Sequence, residues 1–155
     1  MTTKPKSPMT VYLSYAQKDE ALKQEFEDYL LIWQHSGLIS GWVERQVQPK
    51  QDWSQIVDPH LFAAQLILLL LSPAFLASGY AHGAEVREAF VRRDQGKARV
   101  IPVLLYPVNV QGFLFEAIQH IPRQMPVSSW SERSKAWQSI DWDIRQVINT
   151  HFRGR

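Results

Sequence analysis

The sequence predicts a doubly wound α/β domain built on a five-stranded parallel sheet, and three observations carry that reading. First, a continuous apolar run from Leu66 to Leu71 ends abruptly at Ser72 and Pro73. The run is too short to cross a bilayer and lacks the polar alternation of a strand with one wet face, so it reads as a central strand covered on both sides. Second, short β-prone segments alternate with amphipathic helical stretches, the pattern of a parallel sheet with crossover helices. Third, 155 residues, 45% hydrophobic and 12% aromatic, suffice for one domain with its own core.

In chain order, residues 1–9 read as a flexible tail, 10–152 as the folded domain, and 153–155 as a tail or the start of a linker to a further domain. Val11 to Tyr15 is β-prone, and the polar stretch Ala16 to Asp19 leads into a helix with Leu22, Phe26, Leu30 and Trp33 on one face. Gly37 suits the residue just past that helix. Leu38 to Val43 makes a second strand, placed at an edge because Gly41 interrupts it. Glu44 to Gln51 reads as an exposed loop containing Pro49 and Lys50, with Val47 as its one exposed apolar residue. Asp52 and Gln55 resemble a capping box opening a helix, which Pro59 restarts with Asp58 as the new cap.

After the central strand, Val86, Ala89 and Phe90 mark a helix with Glu85 near its N-terminus, one residue off the buried stripe. Val100 to Tyr106 is the fourth strand, although Pro102 is awkward inside a sheet. Gly112 to Ile118 is short and weakly patterned, Met125 to Trp130 is the expected fifth strand, and Trp137, Ile140, Ile144, Val147 and Ile148 define a final amphipathic helix. This alternation implies flavodoxin-like strand order. Ligands of open parallel sheets bind at the carboxyl ends of the strands, which is where Glu85 is expected.

Composition excludes several function classes. Cysteine is absent, so neither a disulfide framework nor a thiolate metal site is possible. The five histidines show no shared metal-ligand spacing, and no metal is expected. A net charge of +2 is scattered among nearly equal numbers of acids and bases, which argues against nucleic acid as a partner. No leader-like or membrane-length segment stands out, so a cytoplasmic location away from the membrane is the expectation. The first strand ends without the acidic cluster of a receiver domain, and Ala16 to Lys18 is not a phosphate-binding loop. Ser14 lacks the glycine setting of a hydrolase elbow.

Four segments resemble the bacterial Toll/interleukin-1 receptor (TIR) domains. They are Val11 to Tyr15 with Lys18 to Glu20, Gly41 to Glu44 through Asp52 and Trp53, Leu69 to Tyr80 with Glu85, and Val100 to Leu105 with its Pro102. The resemblance implies cleavage of NAD+ at the nicotinamide–ribose bond, giving nicotinamide and ADP-ribose or a cyclic isomer, in bacterial signalling or antiphage defence. The alternative it implies is a non-catalytic adaptor acting through assembly with other TIR domains. It further implies that NAD+ is substrate rather than cofactor, that Glu85 is the essential carboxylate, and that Ser14, Tyr15, Ala16, Glu44 and Trp53 line its cleft. Val47, Pro49 and Lys50 would then lie on a loop that meets a neighbouring copy. Two positions depart from the family pattern: Lys50 stands where glycine is usual, and Ala81 where many members carry an aromatic residue, with Tyr80 one place earlier.

One carboxylate suits this chemistry. Nicotinamide leaves as a neutral base without a general acid, and the positive charge that builds on the ribose is what an ionised Glu85 would stabilise. The alternative reading of Glu85 is an ordinary helix N-terminal acid favoured by the dipole. Trp53 could stack on a ligand ring or simply anchor the core. Ser14, Ser72 and Tyr80 could bond ribose or phosphate oxygens, or satisfy local backbone groups.

Overall fold

Successive residues of β1 (Met9–Ala16) point to opposite sides of the sheet, and this alternation decides where every later element packs. Met9, Val11, Leu13 and Tyr15 enter one core and Tyr12 and Ala16 the other. In the computed structural model, which describes residues 8–153, β1 is followed by α1 (Glu20–His35), β2 (Ile39–Val47), β3 (Leu66–Leu71), α2 (Pro73–Ala77), α3 (Ala84–Asp94), β4 (Arg99–Leu104) and α4 (Arg133–Arg153). The parts of the two expected tails at 1–7 and 154–155 lie outside the described residues, while Met9 already opens β1 and is fully buried.

The architecture is mixed α/β with a parallel sheet of four strands in the order β2-β1-β3-β4. All six residues of β3 are buried, because helices cover both faces. On one side Leu66, Leu68 and Leu70 meet α1 and α4, where Phe26 stacks on Trp137 at 5.4 Å and Trp33 donates its indole N–H to Asp141 at 2.6 Å. On the other, Ile67, Leu69 and Leu71 meet Phe75 of α2 and Val86, Ala89 and Phe90 of α3. Gly37 ends α1 in the left-handed region at φ 77°, where a Cβ would be strained, and the chain turns back so that Leu38 N–H reaches the Trp33 carbonyl at 2.9 Å.

The expected fifth strand does not form. Met125 to Trp130 holds only a short 3-10 turn over Val127–Ser129, and the β4 edge is met by Ile121 alone, through one isolated bridge to Val103. Pro122, next to Ile121, and Pro126, inside Met125 to Trp130, each remove a backbone donor, so a continuous ladder has nothing to build on. The same edge explains Pro102. Its carbonyl accepts from Ile121 N–H at 3.0 Å, which places its missing N–H on the outer side of β4 and leaves the ladder to β3 intact.

The stretch from Gln48 to Gln55 also departs from expectation. No helix opens at Asp52; its carboxylate accepts from Ser54 N–H at 2.9 Å and closes a local turn, and only Pro59–Ala63 winds into a 3-10 turn, capped by Asp58 as anticipated. β2 runs four residues past its expected end at Val43, so Val47 is paired with Ala16 and 1% exposed rather than displayed on a loop. Among the described residues no helix is long and apolar enough to cross a membrane.

Candidate active site

Glu85 is the second residue of α3, and its carboxylate turns inward against the sheet, leaving the residue 1% exposed. Sequence spacing placed it beside the buried stripe; the structure places it within. Such a burial is tolerable only with compensating donors, and five are present. Arg45 of β2 donates through Nε at 3.0 Å and Nη2 at 2.7 Å, a two-pronged ion pair. The Tyr80 hydroxyl donates at 2.6 Å, that of Tyr12 sits 3.0 Å from both oxygens, and Asp58 N–H donates at 2.8 Å. Burial alone would push the Glu85 carboxyl up, but the bonds from Arg45, Tyr80 and the Asp58 amide outweigh it and hold the group below the usual carboxylate range. Burial and the neighbouring Glu85 charge push both tyrosines up, so each remains a donor.

β-strand alternation assembles this shell. Tyr12 and Ser14 of β1 and Val43, Arg45 and Val47 of β2 share the face that meets α2 and α3. Ser14 lies 2.8 Å from the Tyr80 hydroxyl, and Ala16 follows on the same face, buried against Val47. Trp53 closes the far side: it is 5% exposed, meets Tyr80 edge-on at 5.1 Å and carries the Arg45 guanidinium 5.1 Å above its ring. Its carbonyl accepts Ala84 N–H at 3.0 Å, one of the first free donors of α3. A Cβ on Gly83 would stand 2.7 Å from that carbonyl, so this approach requires glycine.

Two expected cleft residues point elsewhere. Tyr15 and Glu44 are on the opposite face, because each is one residue out of phase with the Glu85 shell. There Lys23 of α1, 4% exposed, binds Glu44 at 2.9 Å and Glu27 at 3.2 Å and sits 5.0 Å over the Tyr15 ring. Burial pushes Glu44 up, but bonds from Trp42 and Lys23 bring its carboxyl below the ordinary range. Ser72 is not beside Glu85 either. It caps α2 by accepting Phe75 N–H at 3.1 Å, donates a very short bond to Asp19, and with Lys18, Pro73, Ala77 and Tyr106 borders an open depression of about 480 Å³.

Of the expected loop residues, Pro49 and Lys50 are exposed at a turn, whereas Val47 is inside. The loop is also less free than its composition suggests, since Trp53 Nε1 donates to the Gln48 carbonyl and Arg87 of α3 to the Ser54 carbonyl. Sequence reasoning missed Arg45, Tyr12 and the Asp58 amide. The first two were available from period-two alternation through Val43 and Val47 and through Ser14; a backbone amide leaves no trace in sequence.

Chemically, the arrangement keeps a carboxylate in a low-dielectric setting, paired with a guanidinium that lies over an indole face and bonded by two tyrosine hydroxyls and a backbone amide. The TIR domain family model matches residues 11–143. An uncharacterized protein of Sinorhizobium fredii, y4lF, is 29% identical over 139 residues. Those residues are 89% of this chain and 43% of that protein, so the chain spans less than half the relative's length.

Proposed function

The chain belongs to the TIR domain family, and from that premise we propose that it cleaves NAD+ between nicotinamide and ribose, with Glu85 as the carboxylate that faces the ribose. The observation that supports this best is the burial of Glu85 at 1% exposure, its carboxylate ion-paired to Arg45 beside the Trp53 ring: a carboxylate so enclosed acts most strongly on a cation where water is excluded. In the reaction the C1′–N1 bond breaks, its electron pair stays with nicotinamide, and positive charge spreads over the ribose ring. Glu85 stabilises that charge until water adds at C1′ and loses a proton, giving ADP-ribose; capture by an adenine nitrogen instead gives a cyclic isomer. Trp53, edge-on to Tyr80, offers a wall for the departing ring.

Arg45 covers the carboxylate in this conformation, so turnover requires the Arg45 side chain, the Gln48 to Asp58 segment or both to move. The test is nicotinamide release from NAD+ by the protein and by Glu85→Gln, across protein concentrations. Loss of at least about 100-fold in the variant is expected for removal of the charge that faces the transition state. Equal release by both would remove Glu85 from the mechanism. The same saturation of Glu85 favours a second reading, an adaptor acting through TIR–TIR assembly, which predicts no release by either protein together with concentration-dependent self-association.

A further inference from the structure

We propose that Arg45 selects the ligand: a molecule reaches Glu85 only by giving Arg45 an anionic group in exchange, so the site takes a compound carrying both a cationic N-glycoside and a phosphate. This rests on the NAD+-cleaving reading above and specifies its substrate class. Of the five donors around Glu85, Arg45 supplies two, and it is the ion-pair partner that reaches solvent, with a side chain 22% exposed against 1% for Glu85. Tyr12 and Tyr80 are 1% exposed and fixed in the core, and Asp58 contributes a backbone amide. The Arg45 guanidinium also lies over the Trp53 ring, a flat surface along which it can slide outward while keeping contact.

Charge balance then restricts what can enter. A simple anion that drew Arg45 away would leave the Glu85 carboxylate buried without a countercharge. A simple cation would have to displace a two-pronged guanidinium and leave it unpaired beside the cleft. A ligand with both charges satisfies both halves of the split pair. Its pyridinium-bearing ribose faces Glu85, and its phosphate oxygens accept the planar Arg45 fork in the geometry the carboxylate had offered. Arg45 makes and breaks no covalent bond; it exchanges one set of hydrogen bonds for another.

The experiment compares nicotinamide release from NAD+, nicotinamide mononucleotide and nicotinamide riboside, the last lacking phosphate, by wild type, Arg45→Ala and Arg45→Lys. Wild type is expected to favour the two phosphorylated substrates over the riboside by about 100-fold in kcat/KM, the scale of a close charged pair. Arg45→Ala should bring that preference to about tenfold or less, mainly through KM, and Arg45→Lys should recover part of it as a point charge without the fork. An unchanged preference in Arg45→Ala overturns the assignment. Should wild type release nicotinamide from none of the three, the NAD+ reading fails, and the exchange itself is decided on the wild-type protein by NMR of the Arg45 Nε–H. A shift of that resonance on adding NAD+ but not the riboside supports the exchange, and any other pattern overturns it.

Discussion

Glu85 and Arg45 form a pair whose strength depends on pH in a definite direction. Burial raises the Glu85 pKa, and the bonds from Arg45, Tyr80 and the Asp58 amide more than reverse it, so the folded value lies below the ordinary 4.5. A depressed carboxyl stabilises the fold above its ordinary pKa, and that contribution disappears as pH falls through the lower, folded value. The surrounding Arg45, Tyr12 and Tyr80 keep their charge states over this range, and the Asp58 carboxylate is engaged with His60, held low by the His60 amide. Thermal melts between pH 7 and pH 3 should therefore show a steeper loss for wild type than for Glu85→Gln. At neutral pH the variant should be less stable by about 1–3 kcal/mol, since an amide satisfies the same donors less well. Parallel melting curves over the whole range would mean that the pair contributes nothing to stability.

The elements differ in how openly their sequences state them. β3 was legible because six consecutive apolar residues fit only a strand buried on both faces, and α4 because its apolar residues keep helical spacing for about three turns. β2 was cut short at Val43 because Glu44, Arg45 and Gln46 look like loop, although Val43 and Val47 continue the strand period across them. Ending the strand at Val43 hides Arg45 and leaves Glu44 beside the cleft, whereas it lies on the opposite face. The missing helix at Asp52 shows a capping signature overridden by context: Trp53 is drawn into the α3 contact, which its backbone makes at the start of the next helix. That contact gives a prediction at this scale. Gly83→Ala should push the Trp53 carbonyl off Ala84, costing about 1–3 kcal/mol for the strained approach and the orphaned donor, and should make a tryptophan newly accessible to acrylamide quenching. Unchanged quenching and stability would show that the segment adjusts freely.

For the whole molecule, the segment from Gln48 to Asp58 joins three things: the edge strand, the cover over Glu85 and the start of α3. A neighbouring copy that drew it outward at exposed Pro49 and Lys50 would uncover the carboxylate, so specific activity should rise with protein concentration. A dilution series of nicotinamide release with light scattering in parallel checks this, and constant specific activity from a proven monomer would show that one chain opens its own cleft. β2 carries a further consequence. Glu44 answers Lys23 above the sheet while Arg45 answers Glu85 below it, so the strand is read in parity. A two-residue slip of the strand keeps Glu44 and Arg45 on their own faces. A single-residue slip exchanges the faces: forward it sets Glu44 at the place of Arg45, against Glu85, and backward it sets Arg45 at the place of Glu44, against Lys23, so a slip in either direction meets a like-charge collision. An outermost strand, held on one side only, thus has a one-residue slip opposed by charge in either direction.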